Sequence, residues 1–169
     1  MNALFYVASA VAVLATFLAV SRANAVHALL YFVVSLFSVA FLFLLLGAPF
    51  VAALEVIVYA GAIIVLFLFA VMLLNLGRHS VDEEKKRLTP GIWIGPSILA
   101  AILGVELAWV FSQGTIAATT AVKVGPREVG LLLFGPYLLG VEIASMLLLA
   151  GLVGAYHLGR KEQPERNSR

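Results

Sequence analysis

Five apolar runs of 18 to 26 residues, separated by short polar breaks, leave this chain few ways to fold. They cover residues 3–20, 26–46, 51–74, 92–111 and 131–156. A helix needs about 20 mostly apolar residues to cross a bilayer. Inside hydrocarbon every backbone N–H and C=O must find a partner, and a helix supplies them within its own segment. Composition agrees: 63% of the 169 residues are hydrophobic and 12% are charged, against about 45–50% and about 25% in soluble globular domains. The expected fold is an all-α integral membrane protein with five transmembrane helices. Residues 1–158 form the membrane domain and residues 159–169 a polar cytoplasmic tail.

The breaks have recognisable chemistry. Ser21 to Asn24 is a short polar turn. Gly47-Ala48-Pro49 is a tight turn in which proline cannot continue one helix but suits the start of the next. Residues 77–89 form a charged loop and residues 112–130 a longer mixed one. In the charged loop, Asp82 and Lys86, and Glu83 and Arg87, are i,i+4 pairs in the favourable order, consistent with a short surface helix. The plainer reading is a solvated loop that helps to set topology. In the last run, Gly135-Pro136 should kink or delay the helix. Beyond it Gly140, Ala144, Gly151 and Ala155 fall near one face, with Gly154 close by. Small residues four apart let helix backbones approach in lipid.

The basic residues orient the chain. Arg22, Arg78, Lys85, Lys86, Arg87, Arg160, Lys161, Arg166 and Arg169 lie after the first and third runs or in the tail, whereas the opposite side holds only Lys123 and Arg127. The positive-inside bias then puts the amino terminus in the periplasm and the carboxyl terminus in the cytoplasm. Ala23-Asn24-Ala25 resembles a signal-peptidase site, but Met1 to Phe5 contains no Lys or Arg ahead of the apolar run. The first run therefore reads as a transmembrane helix rather than a cleaved signal.

Several functions are excluded or left without support. There is no cysteine, which rules out disulfides, thiolate-bound zinc and cysteine-bound iron–sulfur clusters in this chain. No basic stripe suits a nucleic acid. His27, His79 and His157 sit at or beyond helix ends and make no metal-ligand spacing. The expectation is no catalytic centre, cofactor or metal in this chain. No internal repeat is visible, which argues weakly against a self-contained secondary transporter.

Three acids remain inside the runs. An ionisable side chain at membrane depth is expensive, by about 2.5 kcal/mol or more at the bilayer centre, and marks a functional-site hypothesis. No Lys or Arg lies in any run to neutralise one. Glu106 lies close to Ser112 and is expected to reach the interface. Glu142 lies nearest mid-membrane, where it either holds a proton or hydrogen-bonds across helices. Glu55 enters about one turn below its helix end, and Tyr59 follows on the same face. Gly61 then weakens the helix by about 1 kcal/mol relative to Ala, ahead of the bulky Leu66, Phe67 and Phe69. That order, polar then flexible then bulky, could support a π-bulge. A glycine that merely admits a neighbouring helix fits equally well.

The run Glu55-Val56-Ile57-Val58-Tyr59-Ala60-Gly61-Ala62-Ile63-Ile64-Val65-Leu66-Phe67 resembles the third transmembrane helix of subunit J of proton-translocating NADH–quinone oxidoreductase, respiratory complex I. Val26-His27-Ala28-Leu29-Leu30-Tyr31 is similar to the start of that family's second helix. Leu133-Phe134-Gly135-Pro136-Tyr137 and the stretch from Val141-Glu142 to Ala150-Gly151 look like its last. The resemblance implies a non-redox subunit of the bacterial inner membrane, packed among subunits H, A, K and N. FMN, iron–sulfur clusters and quinone would belong to partner subunits. It also implies a π-bulge around Tyr59 to Val65, with Gly61 as the flexible position and Val65 and Phe67 as an apolar gate on a proton path. Glu106 has no counterpart in the family pattern, and a relay role for Glu142 stays open. A purely structural subunit and a component of a multisubunit cation/proton antiporter are the rival readings.

Overall fold

The computed structural model describes residues 2–74, 91–112 and 124–160. The proposed surface helix over 82–87, most of the loop after residue 112 and the tail beyond Arg160 lie outside these residues. The chain forms two compact units, Met1–Gly125 and Pro126–Arg169. All regular structure in the described residues is helical, and five helices are long and apolar enough to cross a membrane.

In the first unit α1 spans Asn2–Ser21 and α2 spans Ala25–Leu45. Asn24 caps α2, its side-chain oxygen accepting from the backbone N–H of Val26 at 3.0 Å and of His27 at 3.2 Å. Such a cap satisfies donors that the first turn leaves open. At the other end Gly47 takes φ 82°. The N–H of Ala48 reaches the Phe43 carbonyl at 2.9 Å and that of Gly47 reaches Leu44 at 3.2 Å. This is the Schellman pattern, and the left-handed residue it needs is a glycine. Pro49 then begins the third span at a position where its missing N–H costs nothing.

The third span comprises α3 (Pro49–Leu54), a π-helical segment (Glu55–Ile63) and α4 (Ile64–Leu74). After it, α5 spans Gly91–Ser112. Three apolar clusters place α2 at the centre of this unit. Ala8, Phe41 and Val110 join α1, α2 and α5 near one end, and Val11, Ala15 and Val34, with Leu99 and Leu103, join the same helices further along. The third cluster, Leu29, Leu36 and Ile64 with Ala60 and Leu68, fastens the third span to α2. Leu99 meeting the Ala15 level and Val110 the Ala8 level means that α5 runs against α1 and along α2.

The α1–α2 seam is built from small residues and hydroxyls. Ala8 and Ala15 are fully buried, and Ser38, equally buried, donates to the Ala8 carbonyl at 2.6 Å. Ser35 donates to Ala12 at 3.2 Å and shares a 2.7 Å hydrogen bond with Thr16. In lipid no hydrophobic effect drives helices together, so close packing and such bonds hold them. The small residues that stand out in the sequence, Gly140, Ala144, Gly151 and Ala155, lie in the last run instead. Near the start of α5, Gly95 faces the buried Tyr31, and a Cβ there would overlap the tyrosine hydroxyl.

In the second unit α6 spans Pro126–Leu133, and α7 spans Leu138–Gly159. The last run, expected over 131–156, is therefore split: residues 131–133 end a separate short helix, and the long helix begins seven residues later than expected. The cause is local. Pro136 has no N–H to offer a continuing helix, and a Cβ at Gly135 would stand 2.6 Å from the Leu131 carbonyl. The turn closes instead through Tyr137 N–H to the Leu132 carbonyl at 3.1 Å and Leu138 N–H to that of Gly135 at 3.2 Å.

Candidate functional site

The third span changes register in its middle. It enters as an α-helix, the Glu55 N–H bonding the carbonyls of Val51 and Ala52. It leaves the π segment at Ile64, whose N–H bonds those of Tyr59 and Gly61. The Ile64–Tyr59 bond spans five residues, one more than an α-helix allows. One surplus residue is thus held in the wall of a membrane-spanning helix.

The π segment lies further toward the amino-terminal end than the expected stretch from Tyr59 to Val65. It begins at Glu55 and ends at Ile63, so Val65 and Phe67 stand in regular α-helix beyond it. Gly61 supplies the reason. A Cβ there would sit 3.2 Å from the Val56 carbonyl oxygen, five residues earlier and tighter than most real contacts. Glycine therefore relieves the turn before it, between Val56 and Gly61, rather than the turn after it.

Glu55, Tyr59, Ile63 and Phe67 follow one another at four-residue intervals and so lie along one line of the span. Glu55 is half-buried, whereas Tyr59, Ile63 and Phe67 are each about half exposed. On the neighbouring line, Ala60, Ile64 and Leu68 face α2. The carboxyl, the phenol and one bulky ring thus share a face that the first unit leaves open. Val65, also exposed, lies two residues before Phe67 and off that line. An apolar groove of about 430 Å³ adjoins the first π turn. Phe37 and Phe41 of α2, Leu107 of α5, and Ala52, Val56 and Ile57 of the third span line it. Side chains at the start of the π segment therefore have space on one side.

The other two acids differ in placement. Glu142 is exposed on α7 of the second unit, where Ser145 donates back to its backbone carbonyl at 2.7 Å. The Glu106 side chain is buried within the first unit rather than turned outward. It is 7% exposed, and neither carboxyl oxygen has a hydrogen-bond partner. Leu99, Leu103 and Val110 pack on α1 and α2, and Glu106, between Leu103 and Val110, shares their face. Nearness to Ser112 in sequence misled because depth matters less than the face. A carboxyl clamped between helices cannot follow its neighbours outward. The signal was present in the 99-103-106-110 spacing, which repeats at helical intervals.

At the opposite end of the unit the Arg22 guanidinium carbon lies 5.4 Å from the Tyr31 ring centroid, within cation–π range. His27 stacks beside the same ring at 5.0 Å. These residues make an aromatic–basic corner. Among the described residues no group of three or more His, Cys, Asp or Glu is arranged to hold a metal ion.

Comparison with known proteins gives a consistent answer. Residues 15–158 match the family described as NADH-ubiquinone/plastoquinone oxidoreductase chain 6. NADH-quinone oxidoreductase subunit J of Pseudomonas aeruginosa is 57% identical over 159 residues, covering 94% of this chain and 96% of that one. The subunit J of Escherichia coli K12 is 48% identical over 159 residues, covering 94% and 86%. That of Buchnera aphidicola subsp. Schizaphis graminum is 45% identical over 163 residues, covering 96% and 100%.

Proposed function

The chain belongs to the family of subunit J of NADH-quinone oxidoreductase, and on that premise we propose that its third span is a conformational switch that helps couple quinone reduction, carried out in other subunits, to proton translocation. As a family member it is a multi-pass membrane subunit of an enzyme complex, with other complex I subunits as partners.

The observation that carries the proposal is the π segment from Glu55 to Ile63, with glycine at position 61, where a Cβ would crowd the Val56 carbonyl. A π turn stores one residue that an α turn has no room for, so exchanging the two registers rotates the part of the span beyond it. The rotation would swing Phe67 relative to Glu55 and would turn Ile64 and Leu68, which lie beyond the π segment, against α2. In one state Glu55 and Tyr59 would order a short water file, and in the other the bulky residues Val65 and Phe67 would close it. Glu55 lies near the helix end and half in contact with solvent, so it serves as the wet mouth of the path rather than as its gate. Glu142, in the second unit, would be a separate intramembrane acid.

In the membrane the basic residues would place the amino terminus in the periplasm and the carboxyl terminus in the cytoplasm of a bacterial inner membrane. Subunits H, A, K and N would be the neighbours, the exposed Glu55–Phe67 line meeting one of them. FMN, iron–sulfur clusters and quinone would be held in partner subunits.

Gly61→Val tests the switch. A branched side chain against the Val56 carbonyl would fix the register, so NADH–quinone turnover linked to proton pumping should fall several-fold in membrane vesicles while the assembled complex is recovered in normal yield. Full pumping in that variant would leave only a structural role, in which Glu55→Gln would also be harmless.

A further inference from the structure

We propose that Glu106 is a proton-binding site of the first unit, holding its proton as a neutral carboxylic acid between α1, α2 and α5, separate from the third span. The argument rests on placement and does not depend on the switch. Glu106 is 7% exposed in the chain alone, and both carboxyl oxygens lack a hydrogen-bond partner. Its neighbours along the same face, Leu103 and Val110, pack on Ala8, Phe41, Val11 and Val34. A carboxylate in such a lining is costly unless a cation or several donors compensate it.

The helices packed against α5 supply no compensating charge. On α1 the single ionisable side chain is Tyr6, which is exposed. On α2 they are His27 and Tyr31. Tyr31 meets α5 at Gly95, eleven residues before Glu106, or roughly 16 Å along the helix. Arg22 lies at that same far end, over the Tyr31 ring. The hydroxyls nearest in level, Ser38 and Ser35, already donate to carbonyls of α1. Among the described residues of this unit, the group that can neutralise Glu106 is therefore a proton.

Infrared difference spectra of the intact, lipid-embedded complex, wild type minus Glu106→Gln, test this at neutral pH in H2O and in D2O. The expected result is a carboxylic C=O band that requires Glu106 and moves to lower frequency in D2O. Carboxylate stretching bands in its place would overturn the proposal. Should the Gln variant assemble poorly, Glu106→Leu supplies the same difference. That variant carries its own expectation: an apolar residue of similar size should leave the thermal midpoint of the complex unchanged or raised. A clear fall in that midpoint would show that the carboxyl is paired in the assembly and would equally overturn the assignment.

Discussion

The α1–α2 seam and the third span are both apolar helical structures, yet they are built on opposite principles. In the seam, fully buried Ala8 and Ala15 let backbones approach, and Ser38 and Ser35 bond across the gap. Nothing there has two comparable arrangements. The third span leaves most of its surface open and carries a surplus residue in a π turn. Ala60, Ile64 and Leu68 fasten it to α2 beyond its first turns, where Ala52 is buried. What the difference teaches is where motion can reside. A seam of small residues and saturated hydroxyls is a frame, and in the proposed function the span with a surplus residue is the moving part.

The contrast breaks or sharpens under substitution. The largest stability effect is expected at Ala8→Leu. The site has no free space, and forcing methylenes into a packed contact costs about 1–3 kcal/mol or more. Recovery of the subunit in purified complex should fall sharply, and normal recovery would mean the seam is not the frame. Next comes Ser38→Ala, which removes the 2.6 Å bond to Ala8. A loss of about 1 kcal/mol is expected, read as a lower thermal midpoint with the proton-to-electron ratio unchanged.

Gly61→Ala should hardly alter stability, because two effects oppose each other. Ala favours an α-helix by about 1 kcal/mol over Gly, whereas its Cβ would press on the Val56 carbonyl at 3.2 Å in the π register. The balance shifts toward α, and pumping should fall partially, less than with Gly61→Val. Smallest in stability is Glu55→Gln at a half-buried position, within about 0.5 kcal/mol. Its effect belongs in pumping, which should drop while assembly stays normal. If Glu55→Gln destabilised the complex as much as Ser38→Ala, the division into frame and moving part would fail.

Much of this was legible in the residues. The five spans follow from runs that hydrocarbon permits only as helices. The tight turn at Gly47 and the break at Gly135-Pro136 follow from what glycine and proline do to a backbone. The line from Glu55 to Phe67 could be read because a polar group in an apolar helix stands out. The α1–α2 seam was not legible, although Ser35 and Ser38 stand three apart on one face of α2: a pair of hydroxyls in an apolar helix does not say which helix that face meets. Ala8 and Ser38 gain meaning only once paired. The 99-103-106-110 spacing puts Glu106 on one apolar face, but which helices cover that face emerges only in the fold. The π segment, Glu55 to Ile63, overlaps the expected stretch from Tyr59 to Val65 and starts four residues earlier. The contact that glycine relieves runs to a carbonyl five residues back, which only coordinates reveal.

The central claim is that the third span exchanges registers, and one measurement bears on it directly: the structure of the whole complex in a resting state and under turnover, resolved well enough to assign the bonds of residues 55–64. The account predicts two registers. In one, the Ile64 N–H bonds the Tyr59 carbonyl; in the other it bonds that of Ala60, with Phe67 rotated accordingly. The same π segment from Glu55 to Ile63, unchanged in both states, would contradict it.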